Sequence, residues 1–433
     1  MKRIIAGIAC CMLFGQFAQS QSVYSFQGLG SLNHQGMPNN VAQGEVGIGS
    51  PTIWHINSQN PANLIYNTFS TFQLGLMVDQ RSFSGNDISG EGISGSATDG
   101  GLRFLGYSFP IMPGKWSSSF GILPYSSVNY NTFSDTDVPG TNGETKQRSD
   151  NRGEGGLTSL FWSNGFKIKD NFNVGIKASY VFGSISKEST IILYEDRRIL
   201  VDGDSIDVQI QVANPVQYSQ LQSYSDFNFL FGMSYRHKIT DERFLNFGAV
   251  FSPKSPMNGN SELTLVRLSS SGSELGVPVD VGSRKIEFDL PRMVGFGASY
   301  QKLNHYTIGA DFEFSGWSNA GSPETLYNNS FKIAVGGEFT PDYDNINTYW
   351  KRVKYAGGFN YQKLPYIVND QALIDFGINF GASLPVSGFS SLDLAFKWGQ
   401  LGKSSNGLIK ETYYKIVIGT TMNDRWFIKR KYD

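Results

Sequence analysis

The chain has 433 residues, of which 40% are hydrophobic and 14% aromatic, a formal charge of -1, and two cysteines, Cys10 and Cys11. Nothing after the first twenty residues approaches the ~18 consecutive apolar residues that a membrane helix needs, and the only basic run is KRK at 429–431. A helical membrane protein and a nucleic-acid partner are thereby excluded.

The chain opens MKRIIAGIACCMLFGQFAQSQS. Lys2 and Arg3 precede an apolar run from Ile4 to Phe14, and Ala18 and Ser20 stand at A-x-S spacing, so residues 1–20 read as a secretory signal peptide. Lipid attachment at Cys10 or Cys11 is the weaker alternative, because the residues before them fit an acylation box poorly and lie too close to the start. Removal of the leader takes both cysteines with it and leaves 34 basic against 37 acidic residues, a charge of -3. No disulfide framework or thiolate metal site is then available.

Residues 21–68 are rich in Gly and Asn, lack alternation, and end in the uncharged turn INSQNPANL at 56–64. Pro61 biases Asn60 towards extended backbone, and Asn60 can accept a hydrogen bond from its own chain two residues on. From there strict alternation takes over. Phe172, Val174, Ile176, Ala178, Tyr180 and Phe182 share one face, with Asn173, Gly175, Lys177 and Ser179 on the other. The same period recurs at Phe227, Phe229, Phe231, at Ile308, Ala310, Phe312, and at Phe376, Ile378, Phe380.

Fourteen strands are expected, at 70–84, 99–112, 115–134, 153–167, 171–194, 222–240, 243–268, 282–302, 305–318, 326–340, 351–363, 371–385, 390–400 and 411–428. A soluble sandwich is the competing architecture. Against it, the polar faces carry little charge and much glycine (Gly175, Gly232, Gly309, Gly377, Gly419), as a crowded lumen would. The strands are also longer than the usual 5 to 6 residues, whereas tilted membrane strands need about 9–11. The connections alternate long and short, the pattern of outside loops and periplasmic turns, with TPDYDNINTYWKR at 340–352 the least tidy. The fold class is an all-β transmembrane antiparallel barrel of about 14 strands, with residues 21–68 hanging in the periplasm or folded back into the lumen.

The stretch YSFQGLGSLNHQGMPNNVAQGEVGIGSPTIWHINSQNPANL, running into FSTFQLGLMVDQRSFSG, resembles the hatch and first strand of the FadL family, outer-membrane transporters of long-chain fatty acids and hydrocarbons. The matching residues are Gly28, Gly30, Gly44 and the triplet Asn60, Pro61, Ala62, and DFEFSGWS with Trp317 also fits the family pattern. The resemblance implies a signal peptide (1–20), a lumenal hatch (21–68), a barrel (69–428) and a basic periplasmic tail (429–433). The hatch motif then has a structural role, setting the angle at which the hatch leaves the wall. The ending MNDRWFIKRKYD resembles FadL-like barrels of bacteria with type IX secretion, whose relatives include subunits of large outer-membrane machines.

His34, His55, His237 and His305 have no ligand spacing, and His55 with Ser58 is the only near pairing of a hydrolytic type. No enzyme, cofactor or metal is expected. Two functions remain: passive uptake of hydrophobic small molecules through a hatch-gated lumen, with long loops at 195–221 and 269–281 forming a capture groove, or a non-enzymatic subunit of an outer-membrane secretion or assembly complex. The expected surroundings are lipids and lipopolysaccharide of a Gram-negative outer membrane, and the expected partners are hydrophobic small molecules or other outer-membrane proteins.

Overall fold

A computed structural model describes residues 22–86, 92–141, 143–201, 204–321, 327–386, 389–404 and 408–425. The expected leader at 1–20 and basic tail at 429–433 lie outside them. Among the described residues no helix is long and apolar enough to cross a membrane.

The short strand β1 (Ser31–Leu32) precedes the wall and pairs with it from inside. The wall itself is one closed antiparallel barrel of fourteen strands. They are β2 (Ser70–Asn86), β3 (Gly92–Met112), β4 (Trp116–Asp137), β5 (Thr145–Lys169), β6 (Phe172–Val201), β8 (Val216–Lys238), β9 (Arg243–Ser252), β12 (Met293–Lys302), β13 (Tyr306–Ser315), β14 (Ser330–Phe339), β15 (Lys354–Val368), β16 (Gln371–Pro385), β17 (Ser391–Leu401) and β18 (Lys410–Asp424). The seam closes where β18 pairs with β2, from Lys410↔Ser84 to Asp424↔Ser70. Three further pieces, β7 (Asp204–Gln211), β10 (Ser255–Leu268) and β11 (Glu274–Leu290), continue wall strands upward. The expected segments 243–268 and 282–302 are each broken once, at Pro253 and Pro291. Proline has no N–H to give a ladder, so the pairing changes partner there.

The two expected capture loops are strand instead. Residues 195–221 fall largely in β6, β7 and β8, and 269–281 mostly in β11. The alternation of Val208, Ile210 and Val212 with polar residues there is the same period-2 signal as in the wall. Strands β13 and β14 have 10 residues each, about what a bilayer needs, whereas β5 has 25 and β6 has 30. One side of the barrel therefore rises well above the membrane as a sheet. The opposite end holds the short turns 113–115, 170–171, 239–242 and 303–305, which makes it periplasmic.

Phe227, Phe229, Phe231 and Phe380 project outward and exposed, and Phe376 and Ile378 share the outward face of β16 with Phe380. Phe296, near the middle of β12, is 57% exposed on the same side of the wall. Phe296→Arg is expected to cost about 2–4 kcal/mol in urea unfolding from liposomes, and Val277→Arg, above the membrane on β11, close to nothing. Equal costs would show that the band is misplaced.

Candidate functional site

The lumen is occupied by residues 22–69, which touch strands all round the wall. At the extracellular end Ser22 Oγ donates to Glu411 at 2.8 Å and Val23 N–H at 2.9 Å. Glu411 also takes Arg81 Nη1 at 2.7 Å, and Arg81 in turn pairs with Asp79 at 2.9 Å. Tyr24 donates to Ile409 O at 2.6 Å, and desolvation by burial, its largest influence, pushes its phenol up to about 12. Strand β1 then joins the inner edge of β4 through Ser31↔Ser127 and Leu32↔Ser126.

Halfway down, helix α1 (Pro38–Ala42) ends in Gly44 and Glu45, both with left-handed backbone (φ 70° and 73°). A glutamate rarely adopts that conformation, and here it aims the carboxylate between two lysines. Glu45 lies 2.7 Å from Lys332 Nζ and 2.9 Å from Lys397 Nζ, and Lys332 also reaches His34 Nδ1 at 2.8 Å. The next three backbone N–H groups, of Gly47, Ile48 and Gly49, converge on the Asp311 carboxylate at 2.6, 2.7 and 3.2 Å. Three charge-assisted bonds from consecutive amides make a backbone nest around one wall aspartate.

Near the periplasmic mouth Asn60 Oδ1 accepts Ala62 N–H at 3.1 Å, and its Nδ2 donates to Ile48 O and Met233 O at 2.9 and 3.0 Å. Pro61 opens the short 3-10 helix Pro61–Tyr66, and Ala62 is fully buried. His55 faces Asp393 at 3.3 Å. The Ser58 hydroxyl donates to Gln35 O, so no Ser–His pair forms. Trp54 stacks on Phe69, Tyr343 and Phe389 at centroid distances of 5.4, 5.8 and 5.8 Å and so floors the mouth.

Where the segment runs along the wall, the wall residue is glycine. A Cβ on Gly232 would stand 2.2 Å from Asn60 Oδ1, on Gly248 2.0 Å from Ile48 O, on Gly336 2.1 Å from Gln43 O, and on Gly175 2.4 Å from Pro61 C. At Gly175, Gly248 and Gly336 backbone lies directly on backbone, and at Gly232 the Asn60 side chain lies on it, approaches that only glycine permits. Gly28 and Gly30 have φ of 54° and 88°, and a Cβ at Gly30 would meet Ser127 O at 2.4 Å.

Above the middle, the lumen holds an apolar cluster that includes Tyr24, Leu29, Phe288, Trp317, Tyr327 and Tyr366. Beneath it lies a chamber of about 260 Å³ whose lining includes Arg103, Lys177, Glu313, Lys332, Lys397 and Lys415. Arg103 donates to Gly36 O at 3.4 Å and Lys177 to Ser58 O at 2.9 Å, so both buried cations hold the segment by its carbonyls. Leu230, Val250, Met293 and Val417 also line it, so the chamber offers polar and apolar surface in about equal measure. In the wall, the β3–β4 ladder stops at Leu105↔Ile122; above that level β3 pairs with β2, and β4 with β5 and β1.

The sequence singled out the turn residues but none of Glu45, Asp311, Lys332, Lys397 or Glu411. For the four wall residues the signal is a charge on the inward phase of a strand, as in DFEF at 311–314, and Glu45 in the plug has no such mark.

Acid is expected to loosen the segment. Burial foremost, with Lys332 beside it, holds His34 well below its ordinary 6.5. It is therefore neutral when docked and takes up a proton more readily when released, and docking weakens as pH falls below about 6.5. Burial raises the Glu45 carboxyl, but Lys332 and Lys397 outweigh it and hold it well below the usual range. Its contribution, present above the ordinary carboxylate pKa, is lost as pH falls through the depressed value. Amide protection at Val41–Ile48, corrected for intrinsic exchange, should be lower near pH 5 than near pH 7.5; equal protection would refute this.

A family model described as BamG matches residues 1–433. No curated protein sequence matches the chain. Among solved structures, the fold is similar to a CymD monoaromatic hydrocarbon channel (13% identity, 91% of this chain and 99% of that one, TM-score 0.57). It is also similar to the P. putida toluene transporter TodX (16%, 90% and 99%, 0.57) and to a Pseudomonas aeruginosa FadL homologue (14%, 91% and 98%, 0.55). At these identities the likeness is one of fold, that of an outer-membrane barrel of the hydrocarbon-channel type.

Proposed function

This chain belongs to the BamG family, and from that premise we propose that it is a plugged, non-conducting barrel acting as an accessory subunit of an outer-membrane protein assembly or secretion complex. The observation that carries the reading is the way residues 22–69 are fastened. Glu45 between Lys332 and Lys397, the amide nest on Asp311, and glycine contact with the wall hold the segment in place throughout its length. A gate that must open for each solute would hold fewer buried charge pairs, since breaking one by removing a partner costs about 3–5 kcal/mol. In this reading Asn60, Pro61 and Ala62, with Gly28 and Gly30, shape the plug and bind no ligand.

Uptake of hydrophobic small molecules is the second reading, and what favours it is the unpaired stretch between β3 and β4, which offers a sideways route out of the wall. Native purification in mild detergent distinguishes the two. Stoichiometric co-purification of other outer-membrane proteins is expected; a solitary barrel that binds toluene or a fatty acid would overturn the subunit reading. In planar bilayers the intact protein should show no steady conductance. Deleting residues 24–55 while keeping Asn60, Pro61 and Ala62 should leave the wall folded and open a water-filled path, and no rise in conductance would mean that the segment is not what closes the lumen.

A further inference from the structure

One periplasmic connection, residues 340–353, is far longer than the turns beside it. It first passes beneath the lumen, where Tyr343 stacks on Trp54 at 5.8 Å. It then turns outward through the short helix α2 (Tyr349–Arg352) before β15 begins. On this arm Ile346 is 90% exposed and Trp350 65%, large apolar side chains left largely open by the described residues, with the Tyr349 ring edge-on to Trp350 at 5.6 Å.

Their position says what covers them. Tyr355 donates its hydroxyl to Trp350 O at 3.2 Å, and Tyr355 shares the outward face of β15 with Phe359, so Trp350 is held beside the lipid-facing wall. Tyr349 donates to Pro385 O at 3.0 Å, which ties the helix to the end of β16. The Arg352 guanidinium lies over the Tyr349 ring at 5.6 Å, with Lys351 next to it. Tryptophan and tyrosine at the end of a membrane wall, with an exposed lysine adjacent, match the boundary between acyl chains and anionic headgroups. We propose that residues 340–353 form a foot that seats Ile346 and Trp350 in the periplasmic leaflet of the outer membrane, with the exposed Lys351 on phospholipid headgroups. Through Tyr343 and Trp54, the same loop braces the lower end of the plug against the membrane surface. This surface is separate from the subunit reading and stands or falls without it.

Ile346→Cys and, as a control on another periplasmic turn, the exposed Asp170→Cys give two sites for an environment-sensitive fluorophore; the parent chain labelled in parallel supplies any background from Cys10 and Cys11. The full chain is reconstituted into phosphatidylethanolamine–phosphatidylglycerol vesicles, with folding checked by heat-modified gel mobility. The label at 346 should emit at shorter wavelength than the label at 170 and be quenched severalfold more by doxyl-labelled lipid. Lys351→Gln should abolish the additional quenching produced by phosphatidylglycerol. Identical emission and quenching at 346 and 170 would overturn the proposal. So would a shift at 346 that appears only when another protein co-purifies, which would make the foot a protein-binding surface instead.

Discussion

Glu45→Gln is expected to unseat the middle of the plug while leaving the wall intact. The substitution keeps the size of the side chain but leaves Lys332 and Lys397 in a buried space without the carboxylate both of them face. Removing one partner from such a site costs about 3–5 kcal/mol, because the stranded charges keep their desolvation penalty. The loss should appear as faster amide exchange at residues 38–50 and as new ion conductance, with strand content unchanged. A second substitution separates the ionic cause from general damage. Lys397 has Asp375 at 3.7 Å as a further partner, whereas Lys332 depends on Glu45 for its ion pair. Lys332→Met added to Glu45→Gln should therefore recover part of the protection. Unchanged exchange in the single variant would mean that the network contributes nothing to holding the plug.

Gly248→Val is the steric counterpart. The new Cβ would lie 2.0 Å from Ile48 O and 2.7 Å from Ile48 C, both backbone atoms held on the far side by the Asp311 nest. Overpacking in a tight interior costs about 1–3 kcal/mol, and with backbone on both sides the outcome is displacement of Gly47–Gly49 and loss of their three bonds to Asp311. Gly101→Val on β3, where nothing lies within 4 Å, is the control and should be silent. Limited proteolysis between Gly44 and Asn60 would read the difference, and equal resistance in both variants would contradict the seating described here.

Fourteen strands were legible because one face of each meets lipid, and a single residue out of phase there puts a polar group into hydrocarbon. Alternation at Phe227–Phe231 or Phe376–Phe380 is therefore enforced residue by residue. Above the membrane that pressure is gone. The upper parts of β6, β7 and β11 read as loop because water tolerates either phase, although Val277 and Val279 still alternate. The plug was less legible. Its shape comes from long-range pairs such as Glu45 with Lys397 and Gly47 with Asp311, and no local period records a partner more than 250 residues away. The glycines were visible as a property of the inward face, but what presses on them was not.

The first described residue is bonded to the last strand. Ser22 reaches Glu411 across 389 positions, and Trp54 O takes Asn423 Nδ2 across 369. Contacts of such separation form only after the chain between them has been ordered, and the entropy of closing so large a loop is met before the contact rewards it. The seating of residues 22–69 is thus expected to come late in assembly, since the ends they bond to at Glu411 and Asn423 lie on the strand that closes the seam. A chain without β18 would forfeit the seam and the plug together, so the 15 residues of Lys410–Asp424 decide the fate of residues 22–69.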